Sequence, residues 1–282
     1  MSPIQQMLLG VGAVATKTFV DDVFSTFLFK GNSSTQTITN GIDLSQGGLV
    51  WSKTREGSDN HRLTDTVRGV NKTLSSDANF AEFSTSGVQG ASQFNSNGFV
   101  SGLSHSLYND DDIVSWTFRK AKGFFDIQEY SSSSSNTSGS IGNPNFQVNH
   151  DLGCVPGMIL IKRTDGTNDW FAWVRGKEGV LNSTGTLGAS GALPLANVTS
   201  TYFKFAQGNS SYNDPYNYIA YIFAGGESTA ATARSVKFDS SFPGDDLRLA
   251  ASSDFQYGTG DFTWEAYVKP TDLSTSNRCC CF

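Results

Sequence analysis

The sequence repeats itself, and this repetition constrains the fold more than any other feature. The stretch from Gly48 to Gly69 is similar to the stretch from Gly157 to Gly176. The matches fall at a lysine, at a turn glycine and at a terminal Val-Arg-Gly triplet: Lys53 with Lys162, Gly57 with Gly166, and Val67–Gly69 with Val174–Gly176. The two triplets are 107 residues apart, whereas the two lysines and the two glycines are each 109 residues apart. Internal similarity at a fixed spacing is typical of a fold built from repeated units.

Each copy of this stretch predicts a β-hairpin. A short apolar run, 49–51 or 158–161, is too short for a helix and rich in strand-forming residues. The run ends at Lys53 or Lys162, a residue that suits an exposed strand end. Glu56–Gly57 and Asp165–Gly166 then favour a turn, because glycine adopts the positive φ that hairpin loops need.

The elements around the hairpins also recur in the same order. Phe27–Lys30 and Phe125–Tyr130 are strand patterns that precede the two hairpins. Ile113–Phe118 and Tyr218–Phe223 are strand patterns that follow them. The sequence therefore predicts two tandem copies of about 100 residues each, the size of a small β-sandwich.

Composition supports an all-β protein and argues against a nucleic-acid partner. Charged residues make up 16% of the 282 residues and aromatic residues 12%, and Ser, Thr, Asn and Gly are abundant. This profile is typical of a β-protein with many turns. The net charge of −6 is unfavourable for binding phosphates, which need a basic surface.

The residues that usually carry chemistry show no catalytic or metal-binding spacing. Cys154 stands alone and Cys279–Cys281 are adjacent, so neither a disulfide framework nor a zinc site is indicated. Asp110–Asp112 has two interpretations, a calcium site or a solvated loop before a strand. The second is favoured because the EF-hand spacing is missing. No Gly-x-Ser-x-Gly motif is present. We therefore expect no enzyme activity, no metal and no cofactor.

The tryptophans are the candidate sugar-contacting residues. Trp51, Trp116 and Trp264 lie within strand patterns, so core packing is expected for them. Trp170 and Trp173 lie beyond a turn and are the better candidates for a surface role. We expect any glycan contact to use Trp170 and Trp173.

The N-terminal segment has two interpretations. It is small and apolar, lacks the positive charge that precedes the core of a secretory signal, and is too short for a confident transmembrane helix. It is either a loose terminus or an arm that docks on a neighbouring subunit. The candidate docking residues are Ile4, Met7, Leu8 and Leu9.

A third module is expected after a short linker of small residues. Phe262–Val268 alternates apolar and polar residues, as a half-buried strand does. About fifty residues cannot close a sandwich, and open sheet edges favour unwanted pairing. We therefore expect this module either to be truncated or to pair with another chain.

Two resemblances to known families rest on these residues. The order from Val23 to Gly226, with Gly48-Leu-Val-Trp-x-Lys53, Asp65-Thr-Val-Arg-Gly69 and Phe94-Asn-Ser-Asn-Gly-Phe99, resembles a repeat in structural proteins of tailed bacteriophages, especially marine cyanophages. The start Ile4–Gly10 is similar to the start of such proteins. Ser235–Leu273 resembles the beginning of a laminin-G or concanavalin-A-like jelly roll, a fold that lectins, enzymes and spacers share.

The resemblances imply a division of the chain and a role. The expected segments are an N-terminal docking arm (1–22), β repeat 1 (23–122), β repeat 2 (123–226), a linker (227–234) and an incomplete concanavalin/laminin-G-like module (235–282). The implied role is that of a virion protein in a phage tail fibre or fibre-like appendage, with rigid modules in series. The implied partners are other tail proteins, further copies in a homotrimer and a host surface glycan, without nucleic acid or membrane insertion. A carbohydrate-binding module and a capsid decoration protein are the alternatives.

Overall fold

The computed structural model describes residues 19–84, 90–102, 111–131, 134–143, 145–188, 195–206 and 212–225. The chain divides into two compact units, Met1–Thr232 and Ala233–Phe282, and every described residue belongs to the first. Most of the expected arm, with Ile4, Met7, Leu8 and Leu9, lies outside the described residues. So do the linker (227–234), the third module (235–282) and Trp264.

The described part of the chain is almost entirely β-structure. One short helix, α1 (Val20–Val23), and one 3-10 turn (Leu44–Gln46) interrupt it. The strands of the first half (residues 23–122) are β1 (Phe24–Lys30), β2 (Thr37–Thr39), β3 (Gly48–Thr54), β4 (Arg62–Asp65), β5 (Lys72–Thr73), β6 (Phe83–Ser84), β7 (Ala91–Asn95), β8 (Gly98–Ser101) and β9 (Asp112–Arg119). Those of the second half (residues 123–226) are β10 (Phe125–Tyr130), β11 (Thr137–Ser138), β12 (Gln147–Asn149), β13 (Pro156–Arg163), β14 (Phe171–Val174), β15 (Lys177–Val180), β16 (Leu195–Val198), β17 (Tyr202–Phe205) and β18 (Tyr218–Ala224).

Each half contains one larger and one smaller antiparallel sheet. In the first half, sheet I has the order β1-β9-β3-β4 and sheet II the order β2-β8-β7. In the second half, sheet III has the order β10-β18-β13-β14-β15 and sheet IV the order β11-β12-β17-β16. Strands β5 and β6 pair separately. The all-β, sandwich-like fold predicted from the sequence is therefore present.

The two predicted hairpins are confirmed, and their lysines occupy matching positions. Strand β3 pairs with β4 and strand β13 with β14. Lys53 lies opposite Val114 in β9, and Lys162 lies opposite Ile219 in β18. Each lysine amine donates a hydrogen bond to the carbonyl of the next residue, at 2.9 Å for Lys53 and 2.8 Å for Lys162.

The smaller sheets correspond as well. Ile38 lies opposite Phe99 where β2 meets β8, and Val148 lies opposite Phe203 where β12 meets β17. The register of β7 on β8 shifts after Ala91. The register of β16 on β17 shifts after Leu195. The two halves thus share strand order, pairing and the place of one irregularity, as repeated units would.

The Val-Arg-Gly triplets, in contrast, are not equivalent in the fold. The hairpin loops 55–61 and 164–170 have the same length, so the two copies align without an insertion or deletion up to the start of their second strands. Val174 is the last residue of β14, opposite Met158. Val67 lies beyond Asp65, the last residue of β4. The sequence match between the triplets is therefore two residues out of structural register.

The sheets stack through three apolar cores. Sheets I and II enclose a core that includes Val50 and Phe99, and sheets III and IV enclose one that includes Ile161 and Phe203. A third core lies between sheets I and III and joins Leu49 and Leu63 of the first half to residues of the second, among them Leu160 and Tyr221. The order of the layers is therefore II, I, III, IV. The two halves are joined by this third core, and their division into two β repeats stays a prediction.

Candidate functional site

Two indole rings form an aromatic ledge on the face of sheet I that looks toward the second half. Trp51 of β3 and Trp116 of β9 lie directly opposite each other, and their ring centroids are 6.2 Å apart at 77°. Leu49, on the same face, is fully buried in the shared core. Further along the strands, Trp51 and Trp116 remain only half-buried. The ledge is thus the open end of the interface between the halves.

His61 completes the ledge and fixes the orientation of Trp51. The indole N–H of Trp51 donates to His61 Nδ1 at 2.8 Å. Because an indole can only donate, the neutral imidazole must carry its proton on Nε2. The ring of His61 stacks on Trp116 at 6.4 Å and 16°. Burial lowers the pKa of His61, the nearby charges of Lys53 and Arg62 lower it further, and Asp77 opposes them.

A groove of about 410 Å³ opens beside this ledge. Its volume lies within the range of about 300–1,000 Å³ that is usual for small-molecule sites. Both halves supply its walls. The lining residues are Trp51, His61, Ser76, Asp77, Leu181, Asn182, Ser183 and Thr184.

Polar side chains also line the groove. Asp77 is exposed, and its Oδ1 accepts the backbone N–H of His61 at 3.1 Å. Asn182 is held in place, since its Oδ1 accepts from Trp170 N at 2.8 Å and its amide donates to Asp169 at 2.9 Å. Within the described residues, Asp77 Oδ2 and the hydroxyl of Thr184 form no hydrogen bond. These two groups are available to a ligand.

A buried ionic network fastens the two halves together behind the groove. Arg68 Nε donates to Asp65 Oδ2 at 2.6 Å, and Arg68 Nη1 donates to Glu82 at 3.0 Å. Arg68 Nη2 donates to the hydroxyl of Tyr221, which itself donates to Asp65 Oδ2 at 2.8 Å. Tyr221 belongs to β18 of the second half. The network therefore spans the interface between the halves.

The charges of this network are compensated inside the protein. The side chains of Arg68 and Asp65 are fully buried. Burial opposes the charged form of Arg68, but Tyr221, Asp65 and Glu82 outweigh it and hold the pKa of Arg68 above its usual value. Burial raises the pKa of Tyr221 well above 10. Tyr221 therefore stays a neutral hydroxyl that both donates and accepts.

A family profile described as Domain of unknown function (DUF7483) matches residues 20–232. The chain belongs to this family. The matched range contains both halves and ends at Thr232, where the first compact unit ends. Neither the search of curated proteins nor the search of solved structures produced a match to the chain.

The tryptophans that the sequence favoured for a surface role lie in the core. Trp170 is 0% exposed and donates its indole N–H to the carbonyl of Ser75 at 2.7 Å. Trp173 is 8% exposed. The expectation of surface rings at Trp170 and Trp173 is therefore wrong, and neither offers a free face to a sugar. Trp170 packs in the core shared with the first half and Trp173 in the core between sheets III and IV, and both cores join residues too far apart in the chain for the sequence pattern to reveal.

The lysines at the ends of the hairpin strands are also less exposed than predicted. Lys53 is half-buried and Lys162 is 0% exposed. Burial, followed by the charge of Arg163, lowers the pKa of Lys162 to about 8. Its amine donates to the carbonyl of Arg163 and, at 3.4 Å, to that of Gly166. The exposed end expected at Lys162 is wrong, because the loop that follows folds back over the amine.

Two further features are missing from the described residues. These residues contain no group of three or more His, Cys, Asp or Glu side chains arranged to hold a metal ion. Among the same residues, no helix has the length and apolar character needed to span a membrane.

Sequence reasoning missed the groove because its parts are far apart in the chain. His61 belongs to no motif in the sequence, and neither do residues 181–184. Trp51 and Trp116 were assigned to the core from their strand patterns. One signal was present in the sequence. The strand patterns of β3 and β9 each contain a tryptophan, and two tryptophans directly opposite each other on adjacent strands form a wide aromatic surface.

Proposed function

We propose that the chain is a non-catalytic structural protein of a phage virion, part of a tail fibre or a fibre-like tail appendage. In this proposal the N-terminal segment docks on the tail and the distal end meets the host surface. The order of motifs from Val23 to Gly226, quoted above, supports the phage assignment by resemblance. The buried network that joins the two halves supports the mechanical role.

The network is the observation that carries the mechanical role. An appendage that transmits force needs modules that do not move against each other. The Asp65–Arg68–Tyr221 network fixes one relative position of the halves, because the two hydrogen bonds of the Tyr221 hydroxyl, with Arg68 and with Asp65, cross the interface. Continuous apolar packing between sheets I and III excludes water from the same interface. The result is a stiff body that contains four sheets.

A homotrimer is part of the proposal. Phage appendages that act as rods gain from symmetric association, since it covers strand edges and multiplies weak contacts. Strand β1 forms an edge of sheet I, and its Leu28 is 58% exposed. We expect sedimentation equilibrium of the full chain to give three times the monomer mass of 30.4 kDa. A single 30.4 kDa species at micromolar concentration would remove the trimer from the proposal.

Labelling of intact virions tests the location directly. Antibodies raised against the purified chain are applied to virions of the phage that encodes it, and bound gold particles are located by electron microscopy. We expect label on the tail or its appendages, and none after the antibodies are absorbed with purified chain. Label confined to the head would favour a capsid decoration protein. Unlabelled virions that also lack the chain by mass spectrometry would refute a virion role.

A further inference from the structure

We propose that the groove between the two halves binds a neutral carbohydrate chain. The proposal rests on the proposed function in one respect, that a virion appendage meets glycans on a host surface. The site differs from the one expected from the sequence, since it uses Trp51 and His61, the two residues of the ledge that line the groove.

The ledge provides the apolar part of a sugar site. A pyranose ring has faces of C–H groups that pack on aromatic rings, and hydroxyls around its edge. Trp51 and Trp116 are half-buried, so part of each ring remains accessible. Trp51 lines the groove, whereas Trp116 stands against Trp51 at 77° outside the groove lining, so the indole of Trp51 is the surface on which a sugar ring would pack. Rigid aromatic side chains provide such contact area at a low cost in conformational entropy.

The polar lining residues provide the hydrogen bonds. Asp77 Oδ2 is a charged acceptor, and Thr184 offers a hydroxyl that both donates and accepts. The proton on His61 Nε2 adds a donor at the edge of the ledge. A sugar hydroxyl both donates and accepts, so adjacent hydroxyls match this mixture of groups. An apolar ligand would leave the same groups without partners, at a cost in affinity.

Charge favours a neutral sugar over an acidic one. Asp77 lines the groove, and Asp169 lies beside it through its bond to Asn182. No lysine or arginine lines the groove among the described residues. The whole chain carries a net charge of −6. Lys53 and Arg62 act on His61 from outside the groove lining, so we expect a carboxylated or sulfated glycan to bind more weakly than a neutral one, especially at low salt.

The site is organised before a ligand arrives. The Trp51–His61 bond, the His61–Asp77 bond and the two bonds of Asn182 hold four of the lining residues in place. Binding then requires little ordering of side chains, which reduces its entropic cost. The shared core beneath the ledge fixes the two walls relative to each other.

Titration with defined sugars tests the proposal. The full chain is titrated with neutral oligosaccharides of glucose, galactose, mannose and N-acetylglucosamine, and with an acidic uronate oligosaccharide. Binding is followed by calorimetry and by tryptophan fluorescence. We expect at least one neutral oligosaccharide to bind and to change the fluorescence. We expect the uronate to bind at least about tenfold more weakly, a difference of about 1.4 kcal/mol in binding free energy.

Variants locate the binding. Asp77→Asn keeps an acceptor for His61 but loses the charge, and we expect about tenfold weaker binding, as for a hydrogen bond to a charged group. Thr184→Ala should weaken binding by a smaller factor. Trp51→Ala should abolish it, with melting temperature as a check on folding. The matched controls are Asp151→Asn and Phe80→Ala, exposed residues outside the groove, which should bind as the wild type does.

The outcomes separate this proposal from the virion role. Failure of every neutral sugar to bind, preference for the uronate, or equal binding by Asp77→Asn, Thr184→Ala and the controls would each overturn the groove. If sugar binding depends on the groove but antibodies against the chain do not label virions, the groove proposal stands and only the virion role is refuted.

Discussion

Arg68 is the residue whose loss should cost the most, because it neutralises a fully buried carboxylate. In Arg68→Met, Asp65 would lose its buried partner, and removal of one partner of a buried ion pair costs about 3–5 kcal/mol. We expect a decrease of that size in the free energy of unfolding, measured by urea denaturation.

Arg175 is the matched control, since it occupies the same position in the second Val-Arg-Gly triplet. Its side chain is exposed and donates to the carbonyl of Gly225 at 2.7 Å. We expect Arg175→Met to cost less than about 1 kcal/mol, as for most surface substitutions. Equal costs for the two variants would mean that the buried network does not hold the halves together.

His61 should make stability depend on pH through its bond to Trp51. The pKa of His61 is lowered in the folded state, so the unfolded chain binds more protons between that pKa and about 6.5. The contribution of His61 is therefore complete above about pH 6.5 and is lost as pH falls through the folded pKa. Protonation also places a hydrogen on Nδ1, which ends its role as acceptor for Trp51.

A comparison with His61→Gln isolates this effect. His150, whose pKa is also lowered by burial, is present in both proteins, so its contribution cancels. We expect the difference in unfolding free energy between wild type and His61→Gln to shrink between pH 7.5 and pH 5. A difference that stays constant over this range would exclude a titrating His61.

At the scale of the strand, the equivalent lysines Lys53 and Lys162 can be compared by mutation. Below its pKa of about 8, the amine of Lys162 is charged, and the burial of this charge lowers the free energy of unfolding. Between about pH 8 and the unfolded value of about 10.4, the unfolded chain binds the additional proton, so wild-type stability should rise with pH. In Lys162→Met this rise should be absent, and the variant should be at least as stable as wild type at pH 7.

Lys53→Met is the control at the equivalent place in the first half. Its side chain is half-buried rather than fully buried, so we expect the replacement to change the pH dependence less. The measurement is urea unfolding at several pH values between 7.5 and 9.5. Parallel curves for wild type and Lys162→Met would contradict the buried amine.

The hairpins could be predicted from sequence because their causes are local. Apolar runs of strand length and glycine turns decide β3–β4 and β13–β14, and these were confirmed. The alternation in Ile113–Phe118 likewise predicted β9. The division of the chain at residues 122 and 123 stays a prediction, although the matching registers agree with it.

The remainder depended on contacts between residues far apart in the chain. The burial of Trp170 follows from its position against Leu63 and Tyr221 in the shared core, which no local pattern encodes. Arg68 and Arg175 stand in identical triplets, yet one lies in a buried network and the other in an exposed hairpin turn. Identical local sequence therefore gave two environments, because the first triplet follows the end of β4 whereas the second begins at the last residue of β14.

At the scale of the whole molecule, the shared core makes the two halves one cooperative body. Leu49 and Leu63 of the first half are fully buried only because the second half covers them. Separation of the halves would expose this surface to water, at about 25 cal/mol for each Å² of apolar area. We therefore expect the halves to unfold together.

Hydrogen exchange of the full chain measures this cooperativity most directly. Strand β9 in the first half and its equivalent β18 in the second are inner strands of their sheets, and their slowest amides report the opening free energy of each half. We predict that these values agree within about 1 kcal/mol and that Arg68→Met lowers both by the same amount. Values that differ by several kcal/mol, or a loss confined to β9, would show that the halves are independent modules and would contradict a single stiff body.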